Sequence, residues 1–286
     1  MNGFLKSVIC RLIPVLLAAG CSSSTAKEKL TSPNGYNLRT AYETKLPLEL
    51  DEISGVAFYA GDSSVFAIND EKGWLYKLKK GQPIKRWKFS GGADFEDVVL
   101  LDSVFYVLQS NGNILRLSFA EQNKVGVKVG VQNYQFPQGE GKNEFEILYY
   151  DSKRDKLILM CKDCESDNKK TLTTFSFDPH SGVYSDSSYV VDIKEVAKAI
   201  GEDKIKFKPS AASINPKDGL LYIISAINKL IVVTDNDGKF KSVYRIDGSL
   251  FKQPEGITFT PAGGMIVSNE AADVGVADVL YFPRNK

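Results

Sequence analysis

Five residues at the heads of five apolar runs carry the chemistry this chain can offer. They are Glu52 in Asp51-Glu52-Ile53-Ser54-Gly55-Val56, Glu96 in Asp94-Phe95-Glu96-Asp97-Val98, Glu146 in Glu144-Phe145-Glu146-Ile147-Leu148, Ser210 in Lys208-Pro209-Ser210-Ala211-Ala212, and Glu255 in Gln253-Pro254-Glu255-Gly256-Ile257. Four carboxylates brought together repel one another and are tolerated only by taking up protons or gathering a cation. Their hard oxygen donors suit Ca²⁺ or Mg²⁺ better than a transition metal. The next apolar run in each repeat ends on a second set of polar residues: Asn69 and Asp70, Gln109 and Ser110, Lys162, Ser225, Asn269 and Glu270. Lys162 is a candidate counter-ion in place of metal. Asp51, Asp94, Asp97 and Glu144 are expected to crowd the same face as a further acidic layer. The alternative for each glutamate is structural, a carboxylate that accepts backbone N–H groups of a neighbouring unit and fixes the repeat geometry.

Other chemistries are excluded by scarcity. His180 is the only histidine, and it lies among turn formers in Asp178-Pro179-His180-Ser181-Gly182. A Ser-His-Asp triad, a two-histidine zinc site or a histidine phosphatase would each have to run through it. Cys161 and Cys164 stand three apart in Cys161-Lys162-Asp163-Cys164, where a local disulfide or two free thiols is expected; two cysteines are only half of a four-thiolate zinc site.

The spacing indicates what must position these residues. Counted from Glu52, the five heads follow one another at 44, 50, 64 and 45 residues. Self-similarity at about 40–50 residues, with several strands per unit, marks a radial β-array. Within a repeat come the headed run, a second apolar run such as Val104–Leu108, a turn such as Asn111-Gly112, a third run such as Asn113–Leu117, and a fourth strand such as Pro83–Phe89 or Lys241–Ile246. The fold class is therefore all-β, a β-propeller of four-stranded blades. The final repeat ends at Val279–Phe282 with no fourth strand, while Tyr36–Lys45 precedes the first repeat with nothing to pair with. Closure of the last blade by this N-terminal strand removes both edges. Five blades result. Six is the alternative if the long third interval hides a blade, but Ile193, Val196, Ala197 and Ile200 there fall on one helical face that Gly201 stops.

Lys6 and Arg11, then Leu12–Gly20, then Cys21 read as a secretory signal over residues 1–20 ending in a lipobox, with Cys21 the lipidated thiol. Residues 21–34 form a flexible tether, and 35–286 a single propeller domain. Without residues 1–20 the chain carries 34 basic against 35 acidic residues. This near-neutral balance, with no Lys/Arg stripe, argues against nucleic acid as a partner. Lys204-Ile205-Lys206-Phe207-Lys208 reads as a solvated strand.

Taken in order, the Glu52-Ile53-Ser54-Gly55-Val56 opening, Asp94-Phe95-Glu96, Glu144-Phe145-Glu146, Lys208-Pro209-Ser210, Gln253–Ile257 and Met265–Glu270 closely resemble the SdiA-regulated family, also called YjiK/CarP-like, over residues 36–283. The resemblance implies a membrane-associated bacterial envelope propeller with a link to calcium and no established catalysis. Asp97 and Ile147 depart from it, standing where the family has a small residue that lets another group approach the channel. The resulting expectation is a monomeric lipoprotein in the cell envelope, facing the periplasm or in the outer membrane. It is non-enzymatic, binds calcium through Glu52, Glu96, Glu146 and Glu255, and meets an envelope protein or a small anionic ligand. A calcium-dependent phosphoesterase or lactonase and a metal-free interaction scaffold are the alternatives.

Overall fold

The computed structural model describes residues 31–118, 129–137, 141–186, 188–271 and 275–285. The chain enters as β1 (Tyr42–Lys45) and then builds blade one from β2 (Ile53–Tyr59), β3 (Ser64–Asn69), β4 (Trp74–Leu78) and β5 (Lys85–Lys88). Blade two is β6 (Phe95–Leu101), β7 (Val104–Gln109), β8 (Ile114–Ser118) and β9 (Gly130–Tyr134). Blade three is β10 (Phe145–Asp151), β11 (Lys156–Cys161), β12 (Thr171–Asp178) and β13 (Val183–Ser185), with β14 (Val190–Asp192) pairing elsewhere along β12. Blade four is β15 (Ala211–Ile214), β16 (Leu221–Ser225), β17 (Leu230–Thr234) and β18 (Phe240–Arg245). Blade five is β19 (Pro254–Phe259), β20 (Met265–Asn269) and β21 (Asp278–Phe282), completed by β1 in the register Tyr42↔Tyr281 to Lys45↔Asp278. Five antiparallel blades thus form a five-bladed β-propeller closed by the N-terminal strand. The innermost strands β2, β6, β10, β15 and β19 lie side by side in a closed circle.

Apolar side chains explain the closure, because each blade shares a core with both neighbours. Phe66, Trp87, Phe89, Phe95 and Phe105 pack between blades one and two, and Phe145, Phe177, Leu157 and Tyr106 between two and three. Ile147, Met160, Ile223 and Val232 fill the space between three and four, Ile231, Phe251, Val267 and Phe282 that between four and five, and Leu50, Ile53, Ala67 and Ala277 that between five and one. A blade presents one sheet face to each neighbour, so an unclosed ring would leave two such faces wet. The long third interval holds α1 (Ile193–Ala199), started by Asp192, whose side chain accepts from the Lys194 N–H, and ended before Gly201 at φ +78°. Ile193, Val196 and Ala197 are its buried face. Residues 204–208 are not a strand: Phe207 is buried there, and Lys208 reaches Asp163 of blade three at 2.9 Å.

Candidate functional site

A β-bulge on the innermost strand sets the geometry of the channel mouth. Register slips between Phe95 and Asp97, between Phe145 and Ile147, and between Pro254 and Gly256, so that Glu96, Glu146 and Glu255 are the extra residues. In blade four the ladder starts at Ala211↔Ile224, and Ser210 precedes it in the same place. Bulges re-aim a side chain out of the pleat, and here they do so at one level around the axis.

Blade one differs from the sequence expectation. There the slip falls between Ile53 and Val56, and Ile53 pairs Asn69 as Phe95 pairs Gln109 and Pro254 pairs Asn269. The residue equivalent to Glu96 is therefore Ser54, not Glu52. The ring is Ser54, Glu96, Glu146, Ser210 and Glu255; Glu52 stands two residues earlier, level with Asp94, Glu144, Lys208 and Gln253. Aligning the five phrases on their apolar residues rather than on their acids would have found Ser54.

A second tier follows the next strand. The N–H of Asp70, Ser110, Lys162 and Glu270 donates to the carbonyl of Glu52, Asp94, Glu144 and Gln253 in turn. The carbonyls of Asp70 and Ser110 accept from Phe95 and Phe145 of the following blade, at 2.7 and 2.9 Å. These bonds tether blade one to blade two and blade two to blade three, and the tier places Asp70, Lys162 and Glu270 alongside the ring. Lys162 is ion-paired with Glu146 and stands 3.5 Å from Glu144. Gln253 donates to Glu270, and Ser110 to Asp94 at 2.5 Å.

Two of the expected residues serve the scaffold. The Ser210 hydroxyl donates to the Pro254 carbonyl at 2.6 Å, joining blade four to blade five. Asn269 donates to Asp278 at 2.7 Å and to the Leu250 carbonyl at 3.0 Å. Asp97 does not crowd the mouth either. It is buried between blades, where its carboxylate accepts from its neighbour Val98 at 2.8 Å and from Leu148 of blade three at 2.9 Å. Space for it comes from Gly55: a Cβ there would meet the Asp97 Oδ1 at 2.3 Å, the Val98 nitrogen at 2.5 Å and the Asp97 Cα at 2.6 Å. Because two of those three atoms are backbone, Gly55→Ala is expected to lower stability by about 1–3 kcal/mol, read from urea denaturation. A wild-type midpoint would show that blades one and two can part freely. Cys21 lies outside the described residues. Cys161 and Cys164 form the disulfide, with Cα atoms 5.6 Å apart, and His180 sits in its turn 3.2 Å from Asp155.

The electrostatics divide the mouth in two. On one side Glu96 is pushed up to about 9 by burial, then by Glu146, Asp94 and Glu255, against the opposing pull of Lys162. Glu146 is 8% exposed and is likewise raised by burial, with Lys162 working the other way. Burial disfavours the Lys162 charge, but Glu146, Glu96 and Glu144 more than offset it and hold its ammonium well above the ordinary lysine range. On the other side Glu255 is raised to about 8 by burial, Glu146 and Glu270, and Asp70 to about 7 by burial, Glu52, Glu71 and Glu270. Glu270 is raised by burial and Glu52. Glu146 Oε2 and Asp70 Oδ1 are buried with no hydrogen-bond partner. In donor type this set fits a hard divalent cation. In spacing it is open: among the described residues the only three candidate ligand atoms within 4.8 Å of one another belong to Cys161, Cys164 and Asp167, not to the ring.

Fold and mouth define a five-bladed β-propeller with carboxylates gathered at one end of its channel. The SdiA-regulated family profile matches residues 29–272, and the chain belongs to that family. No curated protein matches it. Solved structures share the fold at low identity. The glutaminyl cyclase of Myxococcus xanthus is 16% identical over 86% of this chain and 97% of its own, with a TM-score of 0.56. The calcium-binding protein regucalcin of Agrobacterium tumefaciens is 12% identical over 88% and 95%, with a TM-score of 0.50. The soluble aldose sugar dehydrogenase of Escherichia coli is 12% identical over 86% and 100%, with a TM-score of 0.52.

Proposed function

We propose that this protein is a lipid-anchored envelope propeller whose acidic mouth takes up a divalent cation, calcium first, in a sensing or ion-handling role without catalysis. The observation that carries the reading is the Glu255, Glu270, Asp70 and Glu52 side of the mouth, where burial and neighbouring carboxylates raise Glu255, Glu270 and Asp70, and Asp70 keeps an orphaned buried oxygen. Such a group binds protons until a cation replaces them. Since the oxygens stand wider apart than one ion's shell, binding draws Glu255, Glu270 and Asp70 inward. That movement is what a partner could sense. The same fold in regucalcin belongs to a calcium-binding protein, so the architecture is compatible with that ligand. Lys162 is committed to Glu146 and Glu144 and is not open to a phosphate, which favours this reading over a phosphoesterase.

Isothermal titration of the chelator-treated protein with Ca²⁺ tests it. One saturable site is expected, with an upward-shifted melt, and the combined Glu255→Gln and Glu270→Gln changes should weaken it at least tenfold. No heat up to millimolar calcium would make the mouth structural. For the anchor, Cys21→Ala should move the protein from the membrane fraction to the soluble one.

A further inference from the structure

The disulfide lies beside a carboxylate in a way that the propeller's architecture does not require. Cys161 ends β11, the second strand of its blade, at the place where blade one has Asn69 and blade five Asn269; Cys164 follows one turn later. Asp167 sits in the short 3₁₀ turn Glu165–Asp167. Ligand atoms of Cys161, Cys164 and Asp167 all lie within 4.8 Å of one another, and the three residues are 0%, 3% and 6% exposed.

Asp167 is oriented as a supported ligand would be. Its Oδ1 accepts from the hydroxyls of Thr171 at 2.7 Å and Thr173 at 2.6 Å, and its Oδ2 from the Thr173 N–H at 3.2 Å. Such outer partners fix a ligating carboxylate. A partly open recess of about 20 Å³ borders Cys164, Asp167, Lys162 and Lys169, room for one water. On the surface side an open groove of about 500 Å³ reaches Cys164 past Lys142, Glu165 and Lys169. Cys164 is thus the sulfur an external thiol meets first.

We propose that Cys161, Cys164 and Asp167 form a redox-gated site for a borderline divalent ion such as Zn²⁺, closed while the disulfide stands and opened by a dithiol reductant. One thiolate of the reductant attacks the Cys164 sulfur, forming a mixed disulfide, and the Cys161 sulfur leaves as thiolate. The reductant's second thiol displaces Cys164 and becomes a disulfide itself, so two electrons and two protons pass to the protein pair. The ion then replaces the two thiol protons, which go to solvent. Two sulfurs from a Cys-x₂-Cys segment and one carboxylate oxygen leave a fourth position for water, the open arrangement of a tetrahedral zinc centre. The calcium site of the mouth is separate, with oxygen donors only.

The test uses the full chain carrying Cys10→Ser and Cys21→Ser, so that this pair holds its only thiols. After anaerobic dithiothreitol treatment without denaturant and removal of the reductant, Co²⁺ is titrated in. One equivalent is expected to produce a near-ultraviolet thiolate-to-cobalt band, abolished by excess Zn²⁺ and missing from the oxidised sample. Thr171→Val, which strips one hydroxyl from Asp167, should weaken the Co²⁺ affinity by about 10- to 100-fold. Failure of dithiothreitol to release both thiols from the native fold would overturn the gate. A reduced, natively folded chain without the band, or a band that survives Cys161→Ser, would overturn the site. The oxidised wild type is the folding control, since it needs no substitution.

Discussion

Replacing Lys162 with methionine is expected to cost the propeller about 3 kcal/mol at neutral pH, the lower end of what breaking a buried ion pair costs, because Lys162 retains some exposure. The ammonium pairs with Glu146, and Glu96 and Glu144 add to its field. Without it Glu146 becomes a buried anion among anions, with one oxygen that already lacks a hydrogen bond. The deficit should shrink as the pH falls, since Glu146 escapes it by taking a proton, as Glu96, raised to about 9, has already done at neutral pH. Adding Glu146→Gln to the methionine variant should restore most of the loss for the same reason. Urea denaturation at two pH values reads both effects. Calcium supplies a second check: a mouth deprived of its own cation should gain more stability from added Ca²⁺ than the wild type does. A Lys162→Met protein as stable as wild type at neutral pH would mean that Glu146, the carboxylate Lys162 is paired with, is already uncharged there.

Much of this arrangement is legible in the amino-acid order, and the places where it is not have physical causes. The five headed phrases gave the blade count because a bulged innermost strand demands the same local pattern in every repeat: an apolar residue, the bulge residue, then a buried run. Tyr42–Lys45 was recognisable as the closing strand because both ends of the repeat series lacked a partner. The ring departs from the acid pattern in blade one, where Glu52 shares the charge of Glu96 but Ile53 and Val56 hold the register that makes Ser54 its equivalent. Acidity is a property of a side chain, whereas ring membership is set by the ladder. Ser210 and Asn269 kept their expected places in the repeat, but their hydrogen bonds go to the scaffold. The Asp97 departure has a partner 42 positions away: the Gly55 that admits it lies in the neighbouring blade, a compensation visible only when strands β2 and β6 are side by side. No local sequence pattern joins Asp167 to Cys161 and Cys164, because the turn that returns it to the sulfurs has no periodicity to read.

Stability should fall as the pH rises through neutrality, the reverse of a protein held together by ionised carboxylates. A carboxyl whose pKa is raised on folding keeps its proton more tightly in the folded chain, so the folded state binds more protons than the unfolded one between the two values, and stability declines with pH across that window. For Asp70 the window runs from an ordinary 3.8 to about 7, for Glu255 from 4.5 to about 8, and for Glu96 from 4.5 to about 9. Each group contributes a slope of at most about 1.4 kcal/mol per pH unit, reduced by whatever solvent reaches it. Of these three, all participate between about 4.5 and 7, where the decline should be steepest, and only Glu96 still contributes up to about 9. Glu255→Gln should flatten the profile between about 4.5 and 8 and leave the portion above 8, to which Glu96 contributes. Calcium must displace the protons that remain, so its affinity should rise with pH by up to tenfold per unit for each proton released. Titration at neutral pH in two buffers of different ionisation enthalpy counts those protons directly. A profile that is flat, or one that rises from pH 5 to 8, would show that these carboxyls keep ordinary titration in the fold, and the mouth would then lack the proton store from which a cation is proposed to draw its site.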